Sequence, residues 1–207
     1  LKLSIIIVVF NQEKLIKRAL RSIPATNDIE IIIVNDGSTD HTSDTILEFV
    51  LYNQRVNGLD NVKIFNNPSN MGAPFSKNIG VANATGEYIT FLDSDDFYYT
   101  GALKKFMDEL TGEDLVYFIR EKNNKSKITI NEKNIKMIGG HSRATKRIIY
   151  EGLKYDESLK FGEDTALVKL ILAKHPTIKY TDHLVYHYNS PREDSLTWIY
   201  KKDKLKK

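Results

Sequence analysis

The sequence predicts an α/β fold, a mostly parallel sheet flanked by helices, and three observations predict it. Short apolar, β-branched runs recur through the first half, at Leu3 to Phe10, Ile29 to Val34, Val62 to Phe65 and Glu87 to Leu92. Between them lie stretches with apolar residues at helical spacing. Gly, Pro, Asn or Asp marks the junctions. Strands buried on both faces read as continuous apolar runs, and strand–helix–strand repeats of this length build parallel sheets.

Leu3 to Phe10 is the first strand. Leu15, Ile16, Ala19, Leu20 and Ile23 then follow helical spacing, and Pro24 stops that helix. Ile29 to Val34 is the second strand. The turn Asn35-Asp36-Gly37-Ser38-Thr39-Asp40 carries several N-cap residue types, and Ile46, Leu47, Val50 and Leu51 mark the next helix. Val62 to Phe65 is a short third strand, followed by a turn at 68–72. Pro74 suits the first turn of a helix whose apolar positions include Phe75, Ile79 and Ala82, and Gly86 ends it before strand 87–92. Right-handed crossovers place all the strand-to-helix loops on one rim, so Asn11, Asp36 and Asp93 gather there.

The second half is less regular. Leu103, Phe106, Met107 and Leu110 predict a helix, and 114–119 a strand. Residues 121–136 are rich in Lys and Asn and read as an exposed excursion, with Ile128 to Ile130 a short strand. A helix over 163–174 and a strand over 183–188 complete the set. No internal repeat or linker divides the chain, so the reading is one domain over 1–207, with halves at 1–97 and 98–207.

Composition narrows the function classes. Of 207 residues, 41% are hydrophobic and 10% aromatic, which fits a globular chain and not a disordered one. No apolar run approaches the roughly 18 residues of a membrane span. With no cysteine, disulfides and thiolate metal sites are excluded, which agrees with a reducing cytoplasm. A net charge of +3 is too mild to argue for nucleic acid. The basic end, Lys201-Lys202-Asp203-Lys204-Leu205-Lys206-Lys207 after Trp198-Ile199-Tyr200, reads as a solvated tail or as a peripheral contact with an anionic membrane face.

Asp93-Ser94-Asp95-Asp96 is the most informative stretch. Three carboxylates at the end of an apolar strand repel one another and gain nothing from packing. A hard divalent cation such as Mg2+ or Mn2+ would neutralise them, because it prefers carboxylate and phosphate oxygens. Open α/β sheets bind ligands at this rim, so an Asp-x-Asp here suggests a metal-bound phosphate ligand. A plain turn or helix N-cap is the competing reading of the same residues.

The ordered set of Phe10-Asn11, Asn35-Asp36-Gly37-Ser38-Thr39-Asp40, Asn70-Met71-Gly72, Lys77-Asn78, Gly86 to Asp96 and Gly162-Glu163-Asp164 resembles the family-2 glycosyltransferases. That family has the GT-A fold, a Rossmann-like, mostly parallel sheet with a less regular acceptor-side half. The resemblance is tightest over residues 3–97. It implies that Val9, Phe10, Asn11 and Asp36 hold the nucleotide base, usually uracil. The family has two aspartates where this chain has Asn35-Asp36, and a frequent tyrosine where it has Phe10. Lys77 matches a segment that commonly reads Arg-Asn, which suggests a cation near the nucleotide or its phosphates, with plain helix surface as the competing reading. Asp93 falls on the ribose side and beside the metal, Ser94 between them, and Asp95 is the metal ligand. Asp96 is a third ligand, a sugar contact or an N-cap. His187 is a candidate late metal ligand, or a half-buried histidine among aromatics. Arg192 is placed on a loop facing the diphosphate.

Asp164 matches the family's catalytic base. Acidic residues also favour a helix N-terminus, and the two readings are compatible. The expected protein is an inverting, metal-dependent glycosyltransferase using a nucleotide-diphospho sugar, with UDP-sugar preferred and Mn2+ or Mg2+ as cofactor. Its acceptor is a glycan, a lipid-linked sugar or a protein. Its location is cytoplasmic or peripheral at the inner membrane face. A nucleotidyltransferase would show a Gly-rich basic loop after the first strand, unlike Asn11-Gln12-Glu13-Lys14. A binding module without turnover would not need both Asp95 and Asp164.

Overall fold

A computed structural model describes residues 2–123, 125–137 and 139–189. The first half contains β1 (Leu3–Val9), α1 (Ile16–Arg21), β2 (Ile29–Asn35), α2 (Thr42–Asn57), β3 (Val62–Asn66), α3 (Ala73–Asn83) and β4 (Tyr88–Phe91). The second adds β5 (Phe97–Tyr98), α4 (Ala102–Asp108), β6 (Leu115–Lys122), β7 (Ser126–Ile128), β8 (Arg143–Lys146), α5 (Glu163–Ala173) and β9 (Ile178–Tyr188). Arg192 and the basic end at 201–207 lie outside the described residues.

One sheet runs through both halves in the order β3-β2-β1-β4-β8-β6-β9-β5, with β7 paired to β6. The pairs among β1 to β4 are all parallel, in the register Leu3 to Ile29 and Leu3 to Tyr88. Beyond β4 the expectation of a mostly parallel sheet is corrected. β8 runs antiparallel to both β4 and β6, and β5 and β7 are antiparallel to their neighbours, while β6 and β9 are parallel. The sheet is mixed. β8 escapes a sequence reading because Arg143-Ala-Thr-Lys146 is not an apolar run. It is nonetheless central, with Arg143, Ala144 and Thr145 buried and the Thr90 hydroxyl donating to the Arg143 carbonyl at 2.9 Å.

β1 shows why a continuous apolar run was needed. Leu3, Ile5, Ile7 and Val9 alternate into a core shared with α1, α2 and α4, including Ile16, Leu20, Ile46 and Phe106. Ile6 turns to the opposite core with Ile32, Val34 and the α5 residues Leu167 and Ile171. Each such fully buried side chain contributes about 1.5–3 kcal/mol. None of the helices among the described residues is long and apolar enough to cross a membrane.

Candidate active site

The carboxyl ends of β1, β2 and β4 open onto a cleft of about 860 Å³. Phe10, Gln12, Asp36, Lys77, Asp93, Ser94 and Asp95 line it together with the segment 157–165, which carries Glu163 and Asp164, and Arg120, His141 and Tyr188 also border it. The rim is tied together by backbone bonds that extend the ladder, as the Asp36 N–H donates to the Val9 carbonyl at 2.8 Å and the Leu92 N–H to Ile6 at 3.0 Å.

Asp36 is buried at the end of β2. Its Oδ1 accepts from the Met71 N–H at 2.9 Å and the Asn67 amide at 2.7 Å, and its Oδ2 from the Gly72 N–H at 2.9 Å. The aspartate therefore shapes the loop after β3 as well as reaching the cleft. Asn35 explains its own departure from aspartate. Its amide donates to Ser43 at 2.9 Å and to Asn66 at 3.2 Å, which a carboxylate could not do. Gly37 has φ +71°, and a Cβ there would lie 2.3 Å from the Ser69 backbone, so no other residue fits.

Four expected site residues do not face the cleft in this structure. Val9 points into the core, because the alternation of β1 gives the cleft to Val8 and Phe10 instead. Asn11 binds the neighbouring loop: its N–H donates to Ser38 Oγ at 3.0 Å, and its Oδ1 accepts from the Thr39 N–H at 2.8 Å. Asp96 is fully buried and turned inward, accepting from the Tyr186 hydroxyl and the Asn189 N–H at 2.7 Å each. Burial, then Asp93 and Asp95, push its carboxyl up to about 8. His187 stacks on Phe97 at 4.4 Å, opposite it in the β5–β9 pair, with Nδ1 3.2 Å from the Tyr99 hydroxyl. Burial lowers its pKa, and it does not line the cleft.

Asp93 is two-fifths exposed to the cleft. Burial raises its carboxyl, and although Lys77 pulls it down, Asp95, Asp164 and Glu163 bring it to about 7. Cleft solvent screens part of that repulsion. His141 places Nδ1 3.5 Å from Asp93 Oδ2, stacks on Tyr188 at 5.5 Å and contacts Arg120 through Nε2. Burial and Arg120 hold it neutral, with a pKa of about 3. His141 and Arg120 were not expected from the sequence. The pair Gly139-Gly140 just before His141 was the available signal of close packing. Tyr186 links β9 to Asp93, accepting from the Asp93 N–H at 3.1 Å.

Lys77 is buried, not a helix-surface cation. Its Nζ lies 2.7 Å from Glu163 Oε1 and 2.9 Å from Asp164 Oδ1. Gly162, at φ 83°, turns the chain into α5 so that both acids fall in the first turn. Burial works against ionising Asp164, but the charge and hydrogen bond of Lys77, with the charge of Arg143, hold its carboxyl below the usual range. Among the described residues, no group of three or more His, Asp or Glu side chains could hold a metal by itself. Asp93 and Asp95 nevertheless fit a hard cation that completes its shell with substrate phosphates, as Mg2+ commonly does.

The fold and the cleft define an α/β protein with a carboxylate-rich site where such sheets bind their ligands. The model of the family described as "Glycosyl transferase family 2" matches residues 4–163, and the chain belongs to that family, with a GT-A-like fold. An "Uncharacterized glycosyltransferase" of Haemophilus influenzae is 31% identical over 189 residues, which cover 89% of this chain and 70% of that protein. Two solved structures share the fold. S. aureus TarS 1-349 in complex with UDP-GlcNAc superposes with a TM-score of 0.79 at 22% identity, over 95% of this chain and 61% of that one. The mannosyltransferase PcManGT from Pyrobaculum calidifontis, in complex with GDP-Man and Mn2+, gives 0.76 at 16% identity, over 97% and 60%. The chain thus spans about three-fifths of the length of these solved relatives.

Proposed function

We propose that this chain transfers a glycosyl group, with inversion, from a UDP-sugar to a hydroxyl of a surface glycan or lipid-linked glycan. The observation that carries the reading is that Asp93, Asp95 and Asp164 line the same cleft. Residues 1–97 supply the donor side and 98–207 the acceptor side of a single domain. Phe10 and Asp36 border the pocket for the base. Asp93 and Asp95 would hold Mn2+ or Mg2+, which when bound neutralises the diphosphate as a Lewis acid. Asp164, kept ionised, accepts the proton of the acceptor hydroxyl as that oxygen attacks the anomeric carbon from the face opposite the diphosphate. A single displacement inverts that carbon. The GDP-Man complex of the mannosyltransferase makes GDP the informative competitor to UDP.

The test is a thermal-shift titration with UDP, GDP, CDP and ADP, each with and without Mn2+. Saturation at a hundred times Kd stabilises by about 2.7 kcal/mol. We expect a manganese-dependent rise in Tm for UDP above the others. A preference for GDP would replace the donor, and no rise with any of them would remove the reading. Asp164→Asn is expected to keep UDP binding while transfer falls by roughly 10²–10⁴-fold, the range general-base catalysis supplies.

A further inference from the structure

Lys77 and Asn78 act together, and what they hold is the acceptor wall. Lys77 reaches from α3 to Glu163 and Asp164 at the start of α5. Asn78 donates to the Tyr155 carbonyl at 3.0 Å and to Glu157 Oε1 at 2.8 Å, and accepts from the Tyr155 N–H at 2.8 Å. Two adjacent residues thus fasten the segment before α5 and its first turn to the donor half. The Lys77 ammonium also lies 5.2 Å from the Tyr155 ring and 5.8 Å from the Phe91 ring. Its side chain is 9% exposed. An ammonium has three donors, and two are already spent on carboxylates. Releasing both to reach a phosphate would leave two acids beside one another in a mostly buried place.

The geometry of Asp164 is asymmetric. Lys77 binds Oδ1, while Oδ2 faces Gly139. Gly139 has φ −66°, open to any residue, so the reason for a glycine there is space. A Cβ at 139 would lie 3.1 Å from Asp164 Oδ2 and 2.9 Å from His141 Cε1. The missing side chain keeps the region around Oδ2 uncrowded.

We propose that Lys77 is the positioning residue of the acceptor side: it pins Asp164 through Oδ1, leaves Oδ2 to receive the acceptor proton, and is not a ligand of the donor diphosphate. The proposal rests on Asp164 being the base. The acceptor O–H gives its proton to Oδ2, its oxygen bonds to the anomeric carbon, and the bond from that carbon to the diphosphate oxygen breaks with its electron pair. The charged or titratable groups around Asp164 are Lys77 and Arg143, which favour its ionised form, the neutral His141, and Glu163 and Asp93, which oppose it.

Four variants test this: Lys77→Met, Lys77→Arg, Asp164→Asn and the Lys77→Met/Asp164→Asn double. UDP affinity in Mn2+ is measured by calorimetry. UDP release from UDP-GlcNAc, UDP-glucose and UDP-galactose, with water as acceptor, is followed across pH. For Lys77→Met we expect UDP affinity unchanged within about twofold while release falls roughly 100-fold, a loss confined to catalysis. The acidic limb of its pH profile should move to higher pH, because Asp164 loses the cation that favours its ionised form. Lys77→Arg should restore release to within about tenfold, and Lys77→Met should change little further in the Asp164→Asn background.

A loss of UDP affinity of about tenfold or more in Lys77→Met, about 1.4 kcal/mol, would make Lys77 a phosphate ligand and overturn the proposal. So would release and a pH limb that do not move. If Asp164→Asn itself releases UDP at the normal rate, the base reading falls instead.

Discussion

In the first half of the chain, buried side chains of the parallel strands hold backbone. Asp36 takes two backbone N–H groups of the loop at 71–72, and Glu30 takes those of Thr85 and Gly86. Between the halves and within the second, side chains also hold side chains: Lys77 with Glu163 and Asp164, Tyr186 with Asp96, Arg120 with His141. The cause is the connection. The loops that enter and leave the parallel strands expose free N–H groups at both rims of the sheet, and a buried carboxylate on a nearby strand can satisfy them. The mixed half, where β8 runs antiparallel between β4 and β6, instead brings distant segments face to face, and their side chains meet.

The largest effect that could break this contrast lies at Glu30, at the end of the sheet away from the cleft. Burial alone would raise its pKa, but bonds from Ser4, Thr85, Lys63 and Gly86 overcome that and lower it from 4.5 to about 2. A depressed carboxylate stabilises the fold above its unfolded pKa and loses that contribution as pH falls from 4.5 toward 2. Glu30→Gln is expected to lose about 3 kcal/mol near neutral pH in chemical denaturation, with the difference from wild type shrinking through that acidic window. A loss below about 1 kcal/mol would mean the first half does not depend on its buried acids.

Tyr186→Phe sharpens the other side of the contrast. It removes the hydroxyl that accepts from the Asp93 N–H and donates to Asp96. We expect a loss of about 1–3 kcal/mol, from the buried groups left without a partner, and weaker UDP binding in Mn2+. Unchanged binding would detach the Asp-x-Asp turn from β9. The smallest effect belongs to the exposed pair Lys17–Glu48, at 3.3 Å and at least half exposed on both sides. Lys17→Ala should change stability by less than about 0.5 kcal/mol, and a larger value would mean that α1–α2 surface pairs matter as buried ones do.

The same contrast sets what could be read in advance. The apolar run of β1 fixed its burial on both faces, and Asp36, Asp93, Asp95 and Asp164 were legible because each closes or opens a regular element. The inward turn of Asp96 was not, since its partners Tyr186 and Asn189 stand 90 and 93 residues away. His187 shows the same limit: its neighbour Phe97 comes from β5, a two-residue strand with no periodicity to betray it. β8 was missed because its four residues carry Arg, Thr and Lys into the middle of the sheet.

By itself the sequence determined the strands and helices of the parallel half, the rim where its loops gather, and the acids that rim carries. Periods of two and 3.6 residues, and the turn chemistry between them, are written in near neighbours. Only the tertiary structure decided that Lys77 serves Asp164, 87 residues away, that His141 stands beside Asp93, and that Asp96 and His187 do not line the cleft. Those pairings arise where the mixed half is packed against the parallel half, and no local pattern encodes which side chains then face one another.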